Sequence, residues 1–154
     1  MATYEANIRW QRRRDERFTD GRYSRAHEWL FDGGARVHAS ASPHVVRVPF
    51  SDPSGVDPEE AFVAAASSCH MLSFLYVAAK RGFVVDRYID EAFGVMEKDE
   101  RGKLAITRIT LRPEIEFSGE KRPSDADLAS LHHAAHEECY IASSIRSEVV
   151  VEGF

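Results

Sequence analysis

The chain is poor in cysteine, with two residues in 154, too few for a disulfide scaffold. In a reducing compartment such a pair means chemistry or coincidence more often than a structural staple. Glycine and proline are also sparse, at nine and six residues. With no repeat, no low-complexity tract and no linker rich in Gly, Pro or Ser, collagen-like and disordered architectures are disfavoured, and one domain over 1–154 is expected. Positive charge is in deficit, 20 basic residues against 25 acidic, which argues against non-specific nucleic-acid binding as the main task. The cluster of Trp10, Arg12, Arg13 and Arg14 reads as a solvated turn. Residues 1–10 have no apolar core of signal-peptide length, so secretion by that route is not expected and a cytoplasmic location is.

Formal charge is absent from 61–79, a run of nineteen residues and long enough to span a bilayer. Ser67, Ser68, Cys69, His70 and Ser73 put polar atoms at its centre, and alanine supplies much of the rest. The expectation is a soluble helix buried on nearly all sides, with no membrane partner. Asp57 is its candidate N-cap, with Pro58 in the first turn and Glu59 and Glu60 where the helix dipole favours acids. Lys80, Arg81 and Gly82 form its stop signal.

Around this helix the chain reads as strands. Tyr4, Ala6, Ile8 and Trp10 alternate with polar residues. A strand over 23–31, the turn Asp32-Gly33-Gly34 and a return through Val37 make a β-meander start. Segments 84–96 and 104–117, joined by a turn at Gly102, predict two long antiparallel strands. Ser124 caps a second helix to about Glu138, with Leu128, Leu131 and Ala135 as its apolar stripe, and a last strand runs over 146–151. The fold class is α+β, antiparallel strands around a long buried central helix.

Cys69 lies in the middle of the central helix and Cys139 at the end of the second. Free cysteine often behaves as a small buried hydrophobe, which accounts for either residue taken alone. A redox thiol needs a cation or hydrogen bonds that favour its ionised form, and a second thiol within reach. Arg22 and Arg25 are the candidate cations, arginine staying protonated and holding anions through its fork. Glu59 is the candidate carboxylate, or merely a first-turn acid. Ten residues separate Glu59 from Cys69, roughly 15 Å along a straight helix, so they flank one site only with help from a second chain or a bridging residue. His132, His136 and Cys139 have a spacing that can turn zinc ligands to one side, but no fourth ligand is in evidence, and a partly exposed histidine-bearing face is the commoner meaning. His70 points about 100° away from Cys69 around the helix and reads as a packed core histidine.

The runs DPEEAFVAAASSCH (57–70) and AHEECYIASSI (135–145) together resemble the OsmC/Ohr family of osmotically induced and organic-hydroperoxide-resistance proteins. The resemblance covers about 20–154. It implies an intertwined homodimer with sites at the interface. It also implies a thiol-dependent peroxidase acting on organic hydroperoxides without haem, flavin or metal, and recycled by an external dithiol. By motif position it implies Cys69 as the peroxidatic cysteine, Cys139 as the resolving cysteine and Glu59 as the glutamate ten residues before the first. Arg25, in YSRAHEW, fits the family's arginine best, with Arg22 second. Tyr140 stands where a proline often follows the second cysteine, and the Gly-Arg-Asp-Gly surroundings of the arginine are absent, which points to a less characterised branch. The alternative is a binder of a small apolar ligand with incidental cysteines.

Overall fold

Alternating apolar residues near the start form the strand β1 (Ala6–Arg9), which pairs with β2 (His27–Phe31), and this in turn with β3 (Arg36–Ala39), in an antiparallel sheet of order β1-β2-β3. Ile8 lies opposite Trp29, and Trp29 opposite Val37, so large side chains line up across the strands. The Asp32-Gly33-Gly34 turn joins β2 to β3 as expected, with Gly34 at φ 87° and Asp32 Oδ1 accepting the Gly33 N–H at 2.8 Å. Strand β2 starts at His27 rather than Tyr23, because the backbone before it is tied elsewhere: Arg25 N–H donates to Phe50 O at 2.9 Å. Gly55 is required by packing, since a Cβ there would lie 2.9 Å from the backbone carbon of Ala39. These residues belong to one of two compact units, Met1–Ala61 and the remainder from Phe62, in a computed structural model that describes residues 1–153.

Helix α1 (Pro58–Lys80) begins with a reciprocal cap. The Glu60 N–H donates to Asp57 Oδ1 at 2.8 Å and the Asp57 N–H to Glu60 Oε2 at 3.2 Å. It ends as its stop signal predicts: Gly82 at φ 77°, its N–H on Ala79 O and that of Phe83 on Ala78 O, a Schellman closure. One face is buried through Ala66, His70, Phe74, Val77 and Ala78. The expected burial on nearly all sides is not met within the chain, because Leu72 and Tyr76 stand 61% and 55% exposed, with Ala65 and Ser68 on the same stripe.

The two long strands expected over 84–96 and 104–117 are each broken. Strand β4 (Val84–Asp90) pairs with β7 (Pro113–Ser118), and β5 (Phe93–Lys98) with β6 (Leu104–Leu111), so one hairpin is divided between two sheets. The break has a local cause. Asp90 Oδ1 accepts the Arg112 N–H at 2.7 Å, and Pro113 has no N–H to continue the ladder. The other Asp90 oxygen accepts from Ser67 of α1, which anchors the bend to the helix.

Helix α2 (Asp125–Glu138) carries the expected Ser124 cap, completed into a capping box by Asp127. A short helix that the sequence reading missed, α3 (Tyr140–Ser144), follows at once. The chain then returns as β8 (Glu148–Val151), shorter than the expected 146–151 and parallel to β6, the helical crossover making that direction possible.

Two apolar clusters form the interior of this unit. One joins Ala66 to Ile109 and Leu111 beneath β8. The other joins Phe74, Val77 and Ala78 of α1 to Leu131 and Ala135 of α2. Inside the second cluster lie two histidines, His70 and His132, 1% and 3% exposed. Their rings are parallel within 7°, with centroids 5.4 Å apart and His70 Nε2 at 3.0 Å from His132 Nδ1. Burial pushes both down from the ordinary 6.5 to about 4. On His70 the charge of His136 adds to that effect and Asp90 opposes it.

Unfolding restores the ordinary value, so on acidification the unfolded chain binds protons first. Native stability is therefore greatest above about pH 6.5 and falls until the native pair itself takes protons near pH 4. Urea unfolding at pH 7 and pH 5 should differ by about 2 kcal/mol per histidine. In His132→Phe the loss between these two pH values should shrink to half or less; an unchanged loss would assign the effect to other groups.

Candidate functional site

Cys139 ends α2 in an extended conformation, φ −79° and ψ 107°, and in the same position opens α3 as its N-cap. Its Sγ takes the place usually filled by a serine or aspartate oxygen, accepting the Ala142 N–H at 3.4 Å. The neighbouring Ile141 N–H donates to Cys69 Sγ at 3.5 Å. Two first-turn amides of one short helix are thus shared between the two sulfurs, although 70 residues separate the cysteines in sequence. Both are free thiols, Cys69 half-buried and Cys139 only 1% exposed.

The two thiols interact with each other, and their burial is unequal. Burial, and after it the hydrogen bond with Cys69, pushes the Cys139 thiol up to about 11 against the opposing Ala142 N–H. At neutral pH Cys139 therefore keeps its proton. Backbone N–H and S–H donors aimed at a sulfur stabilise negative charge developing on it. The arrangement is chemically suited to two-electron oxidation, because a sulfur oxidised at Cys69 has a second thiol in its neighbourhood.

Arg25 and Glu59 lie in the other unit. Arg25 is half-buried just ahead of β2, its guanidinium carbon 3.7 Å from the centre of the Tyr23 ring. Its Nη1 donates to Gly21 O at 2.7 Å and to Tyr23 O. No hydrogen bond occupies Nε or Nη2 among the described residues. Arg22 is exposed, so of the two candidate arginines Arg25 is the one held in place. Arg25 borders a cavity of about 410 Å³ whose walls include Ile8, Trp10, Phe18 and Tyr23. The three aromatic rings pack on one another at 4.6–5.9 Å between centroids. Glu59 is half-buried in the first turn of α1 without a side-chain hydrogen bond among the described residues, the capping role being taken by Glu60.

The structure thus brings Cys69 and Cys139 together. It does not gather His132, His136 and Cys139 as metal ligands: among the described residues no group of three or more His, Cys, Asp or Glu side chains is arranged to hold a metal ion. His132 is not on a partly exposed face but turned inward to His70. The signal for this was present in the sequence, since His132 falls four residues after Leu128 and three before Ala135, on the apolar stripe of α2. His70 is the packed core histidine expected. The amides of α3 left no sequence signal, because cysteine is not among the usual N-cap residues.

Comparison with known proteins agrees with this architecture. The family model described as OsmC-like protein matches residues 51–153. An OsmC-like protein of unknown function from Vibrio cholerae is 53% identical, with 99% of each chain covered and a TM-score of 0.96. An organic hydroperoxide resistance protein from Bacillus subtilis shares the fold at 21% identity, over 98% of this chain and 96% of that one, with a TM-score of 0.64. Another from Elizabethkingia anophelis does so at 16% identity, over 98% and 93%, with a TM-score of 0.69. Among curated proteins none matches. With an α+β fold of antiparallel sheets and a long helix, and with two thirds of its length matched by the family model, the chain belongs to the OsmC-like family.

Proposed function

We propose that the protein is a cysteine-based peroxidase that reduces organic hydroperoxides in the cytoplasm at the expense of an external dithiol. The observation that carries this reading is the pairing of Cys69 and Cys139: two free thiols that interact with each other and accept from adjacent amides of α3, with Cys139 protonated at neutral pH. The Cys69 thiolate attacks the distal oxygen of the hydroperoxide; an S–O bond forms, the O–O bond breaks and the alcohol leaves with a proton. The Cys69 sulfenic acid then reacts with Cys139. An S–S bond forms and the sulfenic oxygen departs as water, carrying the Cys139 proton. A dithiol reduces the disulfide in two exchange steps. No metal or organic cofactor enters this cycle.

For Arg25 and Glu59 the support is the family resemblance. Arg25 is assigned to favouring the thiolate and polarising the peroxide, and Glu59 to orienting the Arg25 fork. The open Nε and Nη2 of Arg25 suit that task. A binder of a small apolar ligand is the competing reading, favoured by the aromatic cavity beside Arg25. Turnover of cumene hydroperoxide with a dithiol separates the two, since a binder gives none.

The protein is further proposed to act as a homodimer. The stripe of Ala65, Ser68, Leu72 and Tyr76 on α1 is exposed and uncharged, with Leu72 and Tyr76 as its large side chains, and α1 has no formal charge between 61 and 79 to solvate it. A second copy of the chain is the simplest cover.

Three outcomes test these assignments. Cys69→Ser should abolish hydroperoxide consumption, while Cys139→Ser should consume one equivalent and stop at a sulfenic or overoxidised product visible by mass spectrometry; equal mild losses in both would mean structural cysteines. Arg25→Ala should lower kcat/KM by about tenfold or more at pH 7, the scale of one lost charge contact in a reacting complex. Arg22→Ala should change it little, and the reverse order would reassign the arginine. In equilibrium sedimentation the protein should run as two chains of 17.4 kDa, and Leu72→Asp should shift it to one. A folded, active monomer of the unaltered chain would remove the dimer.

A further inference from the structure

We propose that the His70–His132 contact is a pH-sensitive clamp that sets how closely Cys139 is held to Cys69. The proposal rests on the reading of the two cysteines as a redox pair. His70 follows Cys69 directly on α1, and His132 lies seven residues before Cys139, two turns back along α2. The bond between Nε2 of one ring and Nδ1 of the other therefore joins the two helices that carry the sulfurs.

Its chemistry limits it to one extra proton. A hydrogen bond between two imidazole nitrogens needs one N–H and one lone pair. With both rings neutral, or with one proton added away from the contact, that requirement is met. With both rings protonated, two N–H groups face each other across 3.0 Å and like charges repel in a medium of low polarity. On His70 a proton is poorly housed, because Nδ1 is buried with no hydrogen-bond partner.

Around His70 the neighbouring groups offset such a charge only in part. His136 of α2 faces the pair with a like charge when protonated. Asp90 of β4 would attract the proton, but its two oxygens already accept from Ser67 and from the Arg112 N–H. Tyr88 of β4, packed on Phe74, has a buried hydroxyl without a partner and carries no charge at neutral pH. Phe74 itself covers His132 at 4.5 Å between centroids. A protonated pair is relieved by moving α2 away from α1 and admitting water, and that movement carries Cys139 with it.

The consequence is read by equilibrating the protein with reduced and oxidised dithiothreitol, a selenol catalyst present, from pH 7 to pH 3.5. Two electrons and two hydrogens pass from Cys69 and Cys139 to the reagent; its S–S bond breaks and one forms in the protein. With every thiol protonated the exchange has no net proton, and protonation of a thiolate on acidification would drive it toward the protein disulfide. The clamp predicts the opposite: an equilibrium constant that falls about tenfold between pH 6.5 and 3.5, through the range in which the native pair takes protons, while far-UV circular dichroism is unchanged. His132→Phe, lacking the hydrogen bond, should lower the value at pH 7. His132→Asn, which can place an amide atom near the Nδ1 position but does not titrate, should restore that value and flatten the profile. His70→Gln makes the same comparison if the position 132 variants do not fold. A flat profile in the unaltered protein, an equal fall in the amide variants, or a fall that coincides with loss of ellipticity overturns the clamp. The exchange needs no hydroperoxide, so a protein with this profile but no hydroperoxide turnover keeps the clamp and loses the peroxidase reading.

Discussion

The arrangement of unit 62–153 depends on how α1 is held, because a helix without formal charge through most of its length has to be positioned by packing and by a few polar contacts. Phe74, Val77 and Ala78 fix its inner face against α2. Ser67 fixes it to Asp90, whose other oxygen interrupts the long hairpin. His70 fixes it to His132, and Cys69 accepts from the first turn of α3. Each of these polar groups lies in the 67–70 segment, so the centre of the helix is where three other elements are registered against it. Removing charge from α1 permits this burial; placing Ser67, Cys69 and His70 at its middle makes the burial specific, since each meets a partner on a different element.

The same economy governs the end of α2. A helix that continued past Glu138 would use the Ile141 and Ala142 amides internally and offer nothing to sulfur. Breaking at Cys139 into extended backbone frees those amides, and restarting as α3 directs them back toward α1. Cys139 is thus fixed by its backbone role as a cap as well as by burial, which leaves Cys69 as the more accessible sulfur.

Much of this was legible in the sequence. Caps at Asp57 and Ser124, the closure at Gly82 and the turns at Gly34 and Gly102 all rest on local chemistry, and the structure has them where local chemistry puts them. The elements that were missed depend on distant partners. Nothing within 84–96 says that Asp90 will take the amide of Arg112, and nothing within 146–151 says that the last strand will lie parallel to β6. The burial of α1 was overstated for a related reason: a run of uncharged residues records that a face will be covered, and not whether the same chain covers it. At the candidate site the two cysteines were evident from their positions, whereas the histidine pair depends on two helices whose separation in sequence is 62 residues.

The inequality of the two thiols bears on the order of events in the proposed cycle. A resolving thiol that ionised readily would compete for the peroxide and, once oxidised, would leave a buried sulfenic acid with little access to solvent. Burial, and after it the interaction with Cys69, keeps the proton on Cys139 and suppresses that branch. Oxidation of Cys69 then changes what Cys139 faces, since the neighbouring sulfur has become electrophilic and carries a hydroxyl able to leave as water with the Cys139 proton. The group that raises the Cys139 pKa before oxidation is therefore the group with which the disulfide forms afterwards.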